Sequence, residues 1–123
     1  MCYGMGRNHP LWGGYEGLSG YYWSRVKYGS KKRKLELSIT IEDAWNQFIK
    51  QDKKCALTGI PLIFDTKSSA YDGNASLDRI DSNKGYTIDN IQWLEKHINM
   101  MKQEYSETDF VNYCKLVYLN SIK

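Results

Sequence analysis

Three oxygen-bearing side chains, Asp78, Asn90 and Asn99, fall within residues 75–102, a stretch whose pattern reads as strand, loop, strand and helix. The extended run is 77–80, and 81–89 loops through Asp81, Ser82, Asn83 and Gly85. Residues 91–94 are apolar, and 95–102 carry a helical pattern. Asp78 then sits at the end of the first strand, Asn90 just ahead of the second, and Asn99 on the helix: a hairpin capped by a helix, with an oxygen ligand on each part. Carboxylate and amide oxygens suit a hard cation such as magnesium, which takes one or two protein groups and completes its shell with water and phosphate oxygens. A cation held in this way makes a phosphodiester more electrophilic and stabilises the leaving alkoxide.

A second chemical feature lies upstream. Arg25, Lys27, Lys31, Lys32, Arg33 and Lys34 follow one another with no acid among them, although the net charge of the whole chain is only +3. Such a run attracts a polyanion, a phosphate backbone above all, and the interleaved Tyr21, Tyr22, Trp23 and Tyr28 offer rings that stack on bases or pack in a core.

The elements that must position these groups follow from caps and periodicity. Residues 1–20 carry Gly4, Gly6, Gly13, Gly14 and Gly17 and read as an irregular arm, leaving 21–123 as a single domain. Ser19 is an N-cap for a basic helix reaching toward Arg33, with Gly29 weakening or ending it. Leu35, Leu37 and Ile39 alternate as a short strand. Thr40 caps a second helix with Ile41, Ala44, Trp45, Phe48 and Ile49 as its apolar stripe, to about Gln51. Thr58-Gly59 marks a turn between two apolar runs of a possible hairpin over 55–64, and 65–74 is a polar loop. Ser106, with Asp109 three residues on, caps a last helix whose Phe110, Tyr113, Cys114 and Val117 share a face until about Leu119. No internal repeat or low-complexity segment interrupts this order.

Composition narrows the class. Four Trp, ten Tyr and three Phe supply a core for one domain. No apolar run is long enough to span a bilayer, and residues 1–8 lack a secretory pattern, so the expectation is a cytoplasmic protein, not secreted and without a membrane partner. Cys2, Cys55 and Cys114 are odd in number and lack a Cys-x-x-Cys pair, which argues against a disulfide framework and against structural zinc.

Ser76-Leu77-Asp78-Arg79-Ile80-Asp81, Gly85-Tyr86-Thr87, Asn90-Ile91-Gln92-Trp93 and Ile98-Asn99-Met100-Met101-Lys102 together resemble the ββα-metal, or His-Me finger, core of HNH endonucleases of the small phage and bacterial homing type. Cys55-Ala56-Leu57-Thr58-Gly59 and, more weakly, His9-Pro10-Leu11-Trp12 extend the similarity over most of the chain. The resemblance implies an α+β fold, with a ββα-metal core and additional packing helices. It also implies metal-dependent hydrolysis of double-stranded DNA, by nicking or double-strand cleavage, with Mg2+ or Mn2+ as cofactor. By position it makes Asp78 the first metal ligand, Asn99 the second, and Asn90 the residue that holds the loop.

One position departs from that pattern. The family places its general-base His directly after the Asp, and this chain has Arg79 there. A guanidinium cannot abstract a proton, yet it can bind the scissile phosphate bidentately and stabilise transition-state charge. The substitutes for the base are His97, Tyr86, Asp81, His9 or a water ionised by the metal. His97 lies roughly 200° around the helix from Asn99 and should face elsewhere, and Asp81 suits an Asx turn. Lys102, one turn after Asn99, is placed to reach a phosphate beside the metal, and Ile98, Met100 and Met101 read as core contacts. An EF-hand over 81–92 fails on register, with its glycine one place early and Gln92 where the bidentate Glu belongs. Two further function classes remain: a DNA-binding module on the same fold that has lost cleavage, and a protein-binding module that uses the aromatic N-terminal region.

Overall fold

The structure is a computed structural model and describes residues 13–64 and 73–123. Its elements are α1 (Gly20–Lys32), α2 (Ile41–Lys50), β1 (Ala75–Arg79), β2 (Ile91–Glu95), α3 (Lys96–Lys102) and α4 (Glu107–Ser121), an α+β arrangement. Three of the helices begin where the sequence places a cap. The Ser19 hydroxyl accepts from the Tyr22 N–H, Thr40 and Asp43 form a reciprocal capping box, and Ser106 accepts from the Asp109 N–H. Each cap satisfies an N–H that the helix itself leaves without a partner.

β1 and β2 pair antiparallel, with Leu77 opposite Trp93 and Asp78 opposite Gln92. Because side chains alternate across a strand, this register divides the sheet into a face bearing Leu77 and Trp93 and a face bearing Ser76, Asp78, Gln92 and Leu94. The first face meets the core. Trp93 is fully buried, its indole N–H donates to the Ala44 carbonyl of α2, and its ring lies against Tyr22, Phe48 and Phe64. The second face is covered by α3.

Both sheet edges are occupied. Along β2, Gln51 bridges the Trp93 N–H and carbonyl, and Ala56 donates to that carbonyl as well. Along β1, the Leu77 N–H donates to the hydroxyl of Tyr22. Two-stranded sheets are otherwise open to pairing with a second chain, and these side chains close that route.

Several expectations change. The alternating segment 35–39 forms no ladder: Leu37 makes a single parallel bridge with Tyr86, because no strand lies alongside to extend it. The 55–64 hairpin reduces to a Lys54–Pro61 bridge around a turn in which Gly59 takes a φ of +77°. Gly29 lies inside α1 and does not end it. The N-terminal arm is folded in from Tyr15, which exchanges two backbone hydrogen bonds with Leu18, and Leu18 is fully buried. β1 and β2 run 75–79 and 91–95, displaced by up to two residues from the expected 77–80 and 91–94, and α4 continues to Ser121. Met100 and Met101 are exposed and not core contacts, while Ile98 packs against the core. No helix among the described residues is long and apolar enough to cross a membrane.

Candidate functional site

The loop between the strands is built on Asn90. Its Oδ1 accepts from the Asp81 N–H at 2.9 Å, and its Nδ2 donates to the carbonyls of Asp81 at 3.1 Å and Gly85 at 2.9 Å. One buried amide thereby clamps both limbs of the 81–90 excursion and fixes where β1 ends. Asp81 forms the Asx turn, its Oδ1 accepting from the Asn83 N–H. Gly85 permits the neighbouring crossing of Glu36, because a Cβ there would lie 2.4 Å from the Glu36 carbonyl oxygen. That crossing lets Tyr86 donate its N–H to the same carbonyl.

Asp78, on the α3-facing side of β1, is only 6% exposed. Its Oδ2 accepts from Gln92 at 3.0 Å and lies 3.2 Å from the Lys102 ammonium. Burial raises the Asp78 carboxyl above the ordinary aspartate range, and the Gln92 hydrogen bond and the charge of Lys102 oppose that shift without reversing it. Lys102 is itself 0% exposed, also reaching the Arg79 carbonyl. It therefore does not take the expected place at a DNA phosphate: its charge is spent inside, on Asp78.

One turn earlier on the same helix face, Asn99 donates its Nδ2 to the Ser76 hydroxyl at 2.7 Å, and its Oδ1 accepts no hydrogen bond from the described residues. Asp78 and Asn99 line a single cleft of about 440 Å3, together with Arg33, Ser76, Arg79, Tyr86, Lys96 and Gln103. A second hollow of about 280 Å3 shares Arg33, Ser76, Leu77, Tyr86 and Lys96 with it and continues between α1 and β1 past Arg25. The two form one groove along the edge of β1, walled by α1 on one side and α3 on the other.

Of the basic run, Arg25 and Arg33 line this groove; Lys27, Lys31, Lys32 and Lys34 are exposed and are not among its lining residues. The spacing of 25, 29 and 33 gives the reason, since residues four apart share a helix face. Arg33 also donates to the Tyr86 hydroxyl at 3.1 Å. Arg79 lines the cleft while donating to the carbonyls of Ser82 and Lys84, so its guanidinium braces the loop, over the ring of Tyr86. His97 points away from the groove, as the helix geometry implied: its Nδ1 lies 2.8 Å from Glu95 Oε2 and its side chain is largely exposed. His9 lies outside the described residues, as do Cys2 and residues 65–72.

Glu95, the N-cap of α3, accepts from the N–H groups of His97 and Ile98. Burial raises its pKa, but hydrogen bonds from the His97 side chain and the two backbone N–H groups outweigh this and hold the carboxyl below its ordinary value. Cys55 is buried and Cys114 exposed, both as free thiols. Among the described residues no cluster of three or more His, Cys, Asp or Glu could hold a metal ion.

Sequence reasoning missed Gln92 and Ser76, and read Tyr22 only as a ring that stacks on bases or packs in a core. The signal for Gln92 was present: counting back through the hairpin register from the Asn90 loop sets it opposite Asp78. Ser76 needed the helix placement, which spacing alone does not supply, whereas Lys96, three residues before Asn99, shares its side of α3 by helical spacing. Compared with known proteins, no family model matches the chain, and no curated protein and no solved structure is significantly similar to it.

Proposed function

We propose that this chain is a metal-dependent DNA endonuclease of the HNH type, with β1, β2 and α3 as its ββα-metal core. The observation that carries the proposal is that Asp78 and Asn99, 21 positions apart, line one cleft with the cations Arg33, Arg79 and Lys96. The donor set fits a hard cation. Asp78 supplies a carboxylate, the Ser76 contact turns the Asn99 amide so that its oxygen is available, and the remaining positions belong to water and phosphate. A magnesium or manganese ion bound there would polarise the phosphodiester and stabilise the departing alkoxide.

This chain's own residues do the rest. Lys102 and Gln92 fix the Asp78 carboxylate from behind, and Asn90 sets the loop that ends β1. Arg25, Arg33 and Lys96 bind the polyanion along the groove. Arg79 holds positive charge at the cleft and moves no proton.

A second reading is favoured by one specific feature: among the described residues Asp78 is the only carboxylate lining the cleft, and no imidazole lines it. A DNA-binding module on the same fold, without cleavage, fits that lining. Supercoiled plasmid with Mg2+ or Mn2+ separates the two. The nuclease proposal expects nicked or linear product, slowed about 100-fold or more in Asn99→Ala, with both proteins melting alike. An inert native protein that binds DNA, and that gains cleavage with Arg79→His, would establish the module instead. Absence of both binding and cleavage would sink both readings.

A further inference from the structure

We propose that Gly29 and Tyr86 are positioning residues, which together hold the Arg33 guanidinium as a preset clamp for one phosphate of a nucleic-acid strand. The inference rests on the reading that a phosphate backbone lies in the groove between α1 and β1, and not on a metal or on cleavage.

Gly29 has no local reason to be where it is. It lies within α1, whose C-cap is Arg33, so it neither ends the helix nor turns the chain. Apart from proline, glycine is the residue that least favours a helix interior. What rests on it explains its place. A Cβ at Gly29 would stand 3.3 Å from Arg33 Nη1, 3.7 Å from Nη2 and 3.8 Å from Cζ, the first of these tighter than an ordinary van der Waals contact. The Arg33 side chain therefore runs back along α1, in the direction helical side chains take toward the residue four earlier, and lays its guanidinium on bare backbone.

Tyr86 holds the same group from the other side of the groove. Arg33 Nη2 donates to the Tyr86 hydroxyl at 3.1 Å, and no other hydrogen bond to the described residues engages the guanidinium. Tyr86 is itself fixed: its N–H donates to the Glu36 carbonyl at 2.7 Å, its carbonyl accepts from the Ser38 N–H at 3.0 Å, and its side chain is buried. An arginine on a surface ordinarily loses rotamer freedom when it binds. Here two contacts from separate segments have removed much of that freedom beforehand, which is the general route by which preorganisation raises affinity.

The surroundings decide the ligand. Of the basic run, Arg33 alone lines both hollows of the groove. In the smaller hollow Arg25 and Lys96 join it, and among the described residues no carboxylate lines that hollow. A guanidinium fork matches two oxygens of one phosphate, whereas an ammonium acts as a point charge. A phosphate seated on Arg33 lies where a strand passes from the hollow beside α1 to the cleft of Asp78 and Asn99, so the clamp sets the register of the backbone on that cleft.

Fluorescence anisotropy with a short duplex that carries no terminal phosphates tests the clamp. Arg33→Ala should weaken binding about 10-fold, and Arg33→Lys should keep most of that loss. Gly29→Ala and Tyr86→Phe should each weaken binding about 3-fold, while Gly29→Ala melts at or above the native temperature, because alanine favours the helix. In an Arg33→Ala background neither substitution should weaken binding further. Native affinity in both Gly29→Ala and Tyr86→Phe would overturn the clamp and leave the groove reading standing. So would losses of the same size in the absence of Arg33. A native protein that binds no duplex would remove the groove reading and the clamp together.

Discussion

Lys102 is the residue at which types and spacing mislead most. Lysine is seldom fully buried, so a helical lysine one turn from Asn99 reads as a surface cation. In the structure it is enclosed, because Asp78 opposite Gln92 faces α3 and a buried carboxylate requires a countercharge. Replacing it tests the pair. Lys102→Met should cost about 3–5 kcal/mol in urea unfolding at neutral pH, since it leaves Asp78 buried with Gln92 alone. The folded carboxyl already titrates above its unfolded value. The stability tied to its protonated form is therefore complete below the unfolded pKa and lost as pH rises through the folded one. The Lys102→Met deficit should accordingly shrink on acidification, and adding Asp78→Asn should recover most of it. A deficit independent of pH would show that the ion pair is not what Lys102 contributes.

At the scale of elements, legibility followed local chemistry. The starts of α1, α2 and α4 could be read because Ser19, Thr40 and Ser106 satisfy N–H groups within a few residues of themselves. The segment 35–39 could not, because alternation shows one apolar side but not whether a neighbouring strand exists. Nor could the exposure of α4 be read, since periodicity identifies a face and not what covers it. Two predictions belong here. Glu95→Gln should remove a pH dependence that its lowered carboxyl confers: its contribution is present above the unfolded value and lost as pH falls through the folded one. Thermal melts between about pH 5 and pH 3 should thus converge for native and variant, and parallel melts would contradict this. Gly85→Ala should destabilise by about 1–3 kcal/mol, because the added Cβ meets backbone atoms of Glu36 that are themselves tied to Tyr86. A neutral result in denaturant unfolding would mean that the 34–36 segment yields easily.

For the molecule as a whole, the α+β class and the order strand, loop, strand, helix were legible, and so was the clamp by Asn90 across the loop. The groove was not. It arises because α1 lies along the outer edge of β1, so that Arg25 and Arg33 line one hollow with Ser76 and Lys96, and Arg33 lines the next with Asn99. No spacing in the sequence encodes a meeting of residues more than forty positions apart. The nuclease and binding-module readings share this groove as the place where a phosphate backbone lies, which makes it the central claim. Its most direct test is the salt dependence of duplex binding, followed by fluorescence anisotropy, for native protein and for Arg25→Ala with Lys96→Ala. Each lost phosphate contact flattens the slope of log K against log salt by about one. The account predicts weaker binding of the double variant, with a slope reduced by about two and an unchanged melting temperature. An identical slope and affinity in a folded double variant would place the nucleic acid elsewhere or nowhere on this protein.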